Sequence, residues 1–329
     1  MTTSVTSSPS IEKEATGLTV EQTRHFHEQG FIMVPDAFTP GDLQPVIDEV
    51  SAEVDRLARL YVEQGKLSRS YAEYDFEHRL AMISRETGEI ASAMWNANLV
   101  LSSFFELMRT PRLLDIAESL CGPELIAASV YRLRPKVPGH NQSPVPWHQD
   151  SGYFEPYCDK ALVLTVWLPL VNATQENGCM WVLPRGHVSG KVVPHRQAPG
   201  KPYLEITQDN LPPGEPLCVP VPKGGALLMT NLLPHASFEN NSDGVRWSMD
   251  LRYQSAALPT NADITRLPGE STEDPTAGVP SACYPPEADF LIRSRKRPAE
   301  VVTSADQFHA LRRKHVAKKI TNRFQAEWK

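Results

Sequence analysis

The feature that most constrains the fold is a change in hydrophobic spacing near residue 125. Beyond it, short β-branched or aromatic runs alternate with Pro, Gly and Asn, a pattern typical of strands joined by turns. The runs cover residues 125–134, 161–168, 179–183, 217–221, 226–230 and 246–254. Because no helical segment separates them, we expect a barrel or a sandwich. The 29 prolines, clustered between these runs, argue against a helical bundle.

The first third of the chain has helical start and stop signals. Residues 1–16 are rich in Ser and Thr and are expected to be disordered. Residues 17–329 are expected to form a single domain. A strand is predicted at 31–34. Three helices are predicted here. The first begins at Thr19, which Gln22 helps to cap, the second at Thr39 before Pro40, and the third at Thr110 before Pro111. The first and third end at Gly30 and Gly122.

Charge is unevenly distributed along the chain. The net charge is −6, yet residues 293–329 contain 11 Lys and Arg against 3 acidic residues. A basic tail can bind nucleic acid or anionic lipid. The spacing of Ser304 and Gln307 instead indicates a capping box at the start of an amphipathic helix with a solvated basic face. We therefore expect neither a nucleic-acid nor a membrane partner.

The cysteines and the N-terminus indicate the compartment. Five scattered cysteines without a CxxC pair suggest neither a disulfide framework nor a thiolate zinc site. The sequence has no apolar stretch of membrane-spanning length, and its first residues lack a basic start followed by an apolar core, so we expect no secretory leader. We expect a cytoplasmic location; the sequence does not predict the oligomeric state.

A candidate metal site begins with the H-x-D segment formed by His148 and Asp150. In an extended backbone these two side chains point to the same side. A third ligand is offered by His235, which leads into a late apolar strand, although a lone histidine there could equally be structural. Two imidazoles and one carboxylate on one face of an octahedron suit Fe(II) and leave the opposite face open.

A candidate anion site lies 11 residues after His235. Arg246 and Ser248 are two residues apart on a predicted strand and therefore share a face. An arginine binds a carboxylate through two parallel hydrogen bonds, so this pair predicts a carboxylate clamp. A structural salt bridge of Arg246 to one of the many acidic residues is the alternative.

Three segments together resemble the phytanoyl-CoA dioxygenase family of Fe(II)- and 2-oxoglutarate-dependent oxygenases. They read RPKVPG…PWHQDSGYF, LTVWLPLVNATQENGCMWVLPRGH and LLPHASFENNSDGVRWSMDLRYQ, and the resemblance covers roughly residues 20–255. It implies a mainly β fold with flanking helices, a double-stranded β-helix or jelly roll of the cupin type. It also implies iron ligation by His148, Asp150 and His235, and binding of the distal carboxylate of 2-oxoglutarate by Arg246 with help from Ser248.

The same resemblance implies the reaction class. Iron, 2-oxoglutarate and O2 would oxidise a C–H bond of a small-molecule substrate and release succinate and CO2. Family members that halogenate have a small residue in place of the carboxylate, so Asp150 favours hydroxylation, with desaturation or cyclisation as alternatives. We expect the substrate to be a natural product or a biosynthetic intermediate. A noncatalytic cupin-like binding protein is the alternative from another class.

Further site residues are expected around this centre. Arg134 stands where the family often has a lysine before its glycine loop and is a candidate cosubstrate contact of uncertain role. Tyr153 and Phe154 directly follow the second ligand and are candidate substrate contacts. The long connections 185–215 and 258–289 are candidate lids over the site.

Overall fold

The computed structural model describes residues 17–95, 99, 101–128, 132–139, 144–154, 159–201, 203–258 and 289–315. The predicted disorder of residues 1–16 and most of the candidate lid at 258–289 lie outside these ranges. Within them, no helix is long and apolar enough to cross a membrane.

The helices come mostly from the first third of the chain. They are α1 (Val20–Gln29), α2 (Pro40–Glu63), α3 (Arg79–Ser84), α4 (Glu89–Met94), α5 (Ser102–Met108), α6 (Pro111–Cys121) and α7 (Ala305–His315). Of these helices, the sequence predicted α1, α2, α6 and α7. The expected capping box of Thr19 and Gln22 is formed, and α1 ends at Gly30, which has a left-handed φ of 87°. The sequence did not predict α3, α4 and α5, because one or two turns are too short to show a helical period.

The C-terminal helix α7 also begins as predicted. The Ser304 hydroxyl accepts a hydrogen bond from the Gln307 backbone, and the Gln307 side chain accepts one from the Ser304 backbone. Phe308 is fully buried and stacks on Phe105 of α5, which joins this end of the chain to the core. Residues 316–329, with the rest of the predicted basic helix, lie outside the described residues.

Each of the predicted β runs contains a strand. The strands are β1 (Phe31–Val34), β2 (Leu125–Ala128), β3 (Arg132–Lys136), β4 (Val145–His148), β5 (Leu164–Pro169), β6 (Met180–Val182), β7 (Arg196–Gln197), β8 (Leu204–Glu205), β9 (Leu217–Val219), β10 (Ala226–Thr230), β11 (His235–Ser237), β12 (Arg246–Ser255) and β13 (Asp289–Arg293). The run 125–134 is divided between β2 and β3. The two-residue strands β7 and β8 carry no alternation that could have predicted them.

Two antiparallel sheets form the centre of the molecule. The larger has the order β1-β10-β5-β12-β2-β13, with β3 also paired to β12, and the smaller has the order β4-β11-β6-β9. This is the expected mainly β, jelly-roll architecture with flanking helices, arranged as two sheets and not as a closed barrel. The connection 185–215 is not structureless, since β7 and β8 form a hairpin within it.

Strand β12 separates the hydrophobic core from the space between the sheets. Its residues Trp247, Met249, Leu251 and Tyr253 belong to the core that is shared with the helices. The alternate residues, from Arg246 to Arg252, face the other way. Because helices cover one face and the second sheet covers the other, nearly the whole strand is buried.

Candidate active site

A cavity lies between the two sheets. One part of its wall is apolar and is formed by Val145, Trp167, Met180, Met229 and Ala236. The polar part is formed by Arg134, His148, Asp150, Thr165, His235, Ser237, Arg246, Asp250 and Arg252. Both predicted sites, for a metal ion and for an anion, therefore open into one cavity.

Strand pairing brings the three predicted metal ligands together. His148 ends β4 and His235 begins β11, and the antiparallel register places these two residues opposite each other. Asp150 follows in a short 3-10 turn. Its Oδ1 atom lies 4.0 Å from Nε2 of His148 and 3.9 Å from Nε2 of His235. The three ligand atoms all lie within 4.8 Å of one another, so one metal ion could contact them all.

Both histidines present a lone pair to this centre. Nδ1 of His148 lies 2.8 Å from the Pro146 carbonyl oxygen, and Nδ1 of His235 lies 2.9 Å from that of Leu233. A carbonyl oxygen only accepts, so each Nδ1 carries the proton and each Nε2 is left to bind a metal. Burial, followed by the neighbouring His235, places the pKa of His148 well below its usual value, which keeps this imidazole neutral.

The Asp150 carboxylate is oriented by two side chains. Its Oδ2 accepts hydrogen bonds from the Thr165 hydroxyl at 2.5 Å and from the Arg252 guanidinium at 3.0 Å. Burial alone would raise the pKa of Asp150, but the charge of Arg252, the two histidines and the Thr165 hydrogen bond together hold it well below its usual value. The group is therefore ionised, with Oδ2 anchored and Oδ1 directed toward the histidines.

The predicted anion site is built from buried polar atoms that lack a hydrogen-bond partner among the described residues. Arg246 is 2% exposed and Ser248 is fully buried. Nε and Nη1 of Arg246 and Oγ of Ser248 have no hydrogen-bond partner among the described residues. Buried donors are normally satisfied, so three such atoms on one strand face, beside a cavity, indicate the place of a ligand.

The charge of Arg246 is retained at neutral pH. Burial lowers its pKa to about 10, which is still well above 7. Its guanidinium lies 5.1 Å from the centre of the Trp167 ring. The structural salt bridge considered as an alternative would have to involve a neighbouring acid, but the carboxylate of nearby Asp250 accepts a hydrogen bond from Arg134 at 2.5 Å. An anionic ligand therefore remains the best partner for Arg246.

Other sequence candidates lie around the cavity. Arg134 lines it while bound to Asp250. Neither Tyr153 nor Phe154 is among the lining residues: the Tyr153 hydroxyl accepts a hydrogen bond from the Leu204 amide at 2.8 Å, and Phe154 is 1% exposed. Their predicted contact with substrate stays a prediction.

Sequence reasoning missed Thr165 and Arg252, which both bind Asp150. Thr165 is the single hydroxyl in the apolar strand β5, and Arg252 is six residues after Arg246 and so faces the same side of β12. A polar side chain at a buried strand position was the available signal for each. Which acid they bind depends on the approach of distant strands, and no local pattern encodes it.

Residues 26–248 match the model of the phytanoyl-CoA dioxygenase (PhyH) family, a span of more than half of the chain. The chain belongs to this family. Membership confirms the enzyme class expected from the sequence, a non-haem iron and 2-oxoglutarate-dependent dioxygenase, and the cluster of His148, Asp150 and His235 fits the iron of that class.

The relatives are distant. Peroxisomal phytanoyl-CoA dioxygenase of Rattus norvegicus is 25% identical over 245 residues, covering 73% of this chain and 69% of the relative. A probable alpha-ketoglutarate-dependent hypophosphite dioxygenase of Stutzerimonas stutzeri is 25% identical over 178 residues, covering 54% and 56%. The solved structure of the non-heme monooxygenase ThoJ in its apo form has a TM-score of 0.54 at 19% identity, covering 90% of this chain and 94% of ThoJ. That similarity shows the fold.

Proposed function

We propose that the chain hydroxylates an unactivated C–H bond of a small molecule, with His148, Asp150 and His235 as the iron ligands. The observation that carries this proposal is the orientation of Asp150. Thr165 and Arg252 hold one carboxylate oxygen, and the other faces two Nε2 atoms that the backbone has fixed as acceptors. Two histidines and one carboxylate are the ligand set of non-haem Fe(II) oxygenases.

The cosubstrate site is proposed at Arg246 and Ser248. A dicarboxylate fits their unsatisfied donors, because a carboxylate can accept from both the guanidinium and the hydroxyl. Arg134 lines the same cavity and is proposed to contribute positive charge near this site. Bound iron and 2-oxoglutarate, with O2, would supply the oxidising power for C–H cleavage and release succinate and CO2.

Hydroxylation is favoured because Asp150 is present and firmly held. The resemblance to family members that halogenate implies that a small residue in place of Asp150 would be needed to admit chloride. Desaturation or cyclisation by the same site is the second candidate. A noncatalytic binding protein would have no use for three metal ligands beside a buried, unsatisfied Arg246.

The substrate is proposed to be a natural product or a biosynthetic intermediate. The wall of the active-site cavity combines apolar side chains with a few polar groups, as is typical of small-molecule sites. Of the described cations in its wall, Arg134 is paired with Asp250 and Arg252 with Asp150, and Arg246 is assigned to the cosubstrate. This wall therefore offers no further cation for the phosphates of a coenzyme A ester. Relatives named for phytanoyl-CoA and for hypophosphite show that membership alone does not choose the substrate.

The test combines metal binding with turnover. We expect the purified chain to bind one equivalent of Fe(II), and His148→Ala or Asp150→Ala to lose it while circular dichroism shows an unchanged fold. His25→Ala, an exposed histidine on α1, is the matched control and should bind iron as the native chain does. Full iron occupancy and substrate-dependent succinate release in a His148→Ala/Asp150→Ala variant would refute the assignment.

A further inference from the structure

Two cysteine thiols contact each other on neighbouring strands of the smaller sheet. Cys179 immediately precedes β6 and Cys218 is the central residue of β9, and their sulfur atoms are 3.3 Å apart. Antiparallel pairing fixes this neighbourhood, because Trp181 lies opposite Cys218 and Met180 opposite Val219. The two thiols are not joined by a disulfide in this structure.

The two sulfurs differ in their access to solvent. Cys179 is fully buried, and burial, followed by the contact with Cys218, raises its pKa to about 12. Cys218 is partly exposed on β9, which is the last strand of its sheet. An oxidant in solution can therefore reach Cys218 first, while Cys179 is shielded and lies in contact behind it.

We propose that Cys179 and Cys218 are a redox-active pair that a hydroperoxide converts reversibly into a disulfide. The peroxide transfers one oxygen to the Cys218 thiol, which becomes a sulfenic acid, and the peroxide leaves as an alcohol, or as water in the case of hydrogen peroxide. The Cys179 sulfur then attacks that of Cys218. Its proton leaves with the hydroxyl group as water, and the S–S bond forms. Two thiols lose two electrons in total, and the peroxide gains them.

The position of the pair makes this step feasible in the folded chain. A disulfide has an S–S length of about 2.05 Å, so the sulfurs must approach by about 1.3 Å. Among the described strands β9 lies at the edge of its sheet and pairs with β6 on one side, so no second strand of that sheet opposes a small shift. Met180, the residue after Cys179, lines the active-site cavity, so the bond would form one residue away from the cavity wall. The proposal does not depend on the assigned substrate or cosubstrate.

The experiment is thiol mapping of the full-length chain before and after one equivalent of hydrogen peroxide. Alkylation and peptide mass spectrometry should show the titratable thiols falling from five to three, with one cross-linked peptide pair containing Cys179 and Cys218. Dithiothreitol should restore all five. An unchanged thiol count, stable sulfinic acid on Cys218 without a cross-link, or a cross-link to another cysteine would each overturn the proposal.

Variants then test the order of events. In Cys179→Ala we expect a Cys218 sulfenic acid that dimedone traps, because its resolving partner is gone. In Cys218→Ala the buried Cys179 should stay reduced, and its oxidation at the native rate would contradict the assigned roles. Cys121→Ala removes another buried thiol and is the matched control, so it should cross-link as the native chain does. The native-chain mapping decides the proposal even where a variant fails to fold.

Discussion

Replacing Arg246 with Met tests the cosubstrate site most directly. The change removes the guanidinium but keeps an unbranched apolar stem against Trp167, so the packing of β12 should survive. The arginine has no ion pair with a described acid to lose, and its charge is present at neutral pH because burial lowers its pKa only to about 10. The expected loss is therefore confined to the binding of an anion.

The magnitude follows from the unsatisfied donors. A hydrogen bond to a charged group contributes about 1.5–3 kcal/mol. Its loss should therefore raise the dissociation constant for 2-oxoglutarate roughly 10- to 150-fold. Ser248→Ala removes one hydroxyl and should cost about 0.5–1.5 kcal/mol, or roughly 2- to 12-fold. Arg246→Lys keeps the charge but loses the planar fork and should fall between Arg246→Met and the native chain.

The assay is anaerobic calorimetric titration of the iron-loaded chain with 2-oxoglutarate. Arg24→Met, at an exposed position on α1, is the matched control and should leave the dissociation constant unchanged. Iron affinity should also stay unchanged in Arg246→Met, since the guanidinium belongs to the anion site. A folded Arg246→Met variant with native 2-oxoglutarate affinity would refute the reasoning and leave Arg246 with a structural role.

Three further substitutions separate the surroundings of the site from its core. Thr165→Val removes a hydrogen bond to Asp150, and we expect roughly 10- to 100-fold weaker iron binding by competition with a chelator, since groups that orient metal ligands have effects of that size. Gln149→Leu removes the hydrogen bond that the Val193 amide donates to the Gln149 side chain, so exchange of that amide should accelerate while circular dichroism is unchanged. Trp247→Ala should lower the free energy of unfolding by about 3–5 kcal/mol, measured in urea, because the buried indole packs in the hydrophobic core.

Local patterns account for the parts of the fold that the sequence predicted. The capping residues Thr19 and Ser304 act on amides three residues away, and alternation along a strand depends only on its own backbone. The metal triad could be proposed for the same reason, because His148 and Asp150 are two residues apart and only His235 comes from a distant part of the sequence. The helices α3 and α4 were not predicted because six residues are too few to show a 3.6-residue period.

Pairings between distant charges could not be predicted. Asp150 and Arg252 are 102 residues apart, and Arg134 and Asp250 are 116 apart. The chain has 39 acidic residues, and each carboxylate offers an arginine the same chemistry. Strand register, which places β3 and β5 on either side of β12, determines which acid each arginine contacts. The sequence could therefore supply the residue types of the site but not the hydrogen bonds that orient them.

Register also couples the stability of the fold to the geometry of the site. On β12 the core residue Trp247 alternates with Arg246 and Ser248, and β5 packs beside them. A slip of one residue would turn Trp247 into the cavity and bury the guanidinium among the apolar side chains beneath the helices. A buried charge without a partner costs several kcal/mol, and the core would lose its large indole as well. The packing that excludes this slipped register therefore also keeps Arg246 on the cavity side of β12.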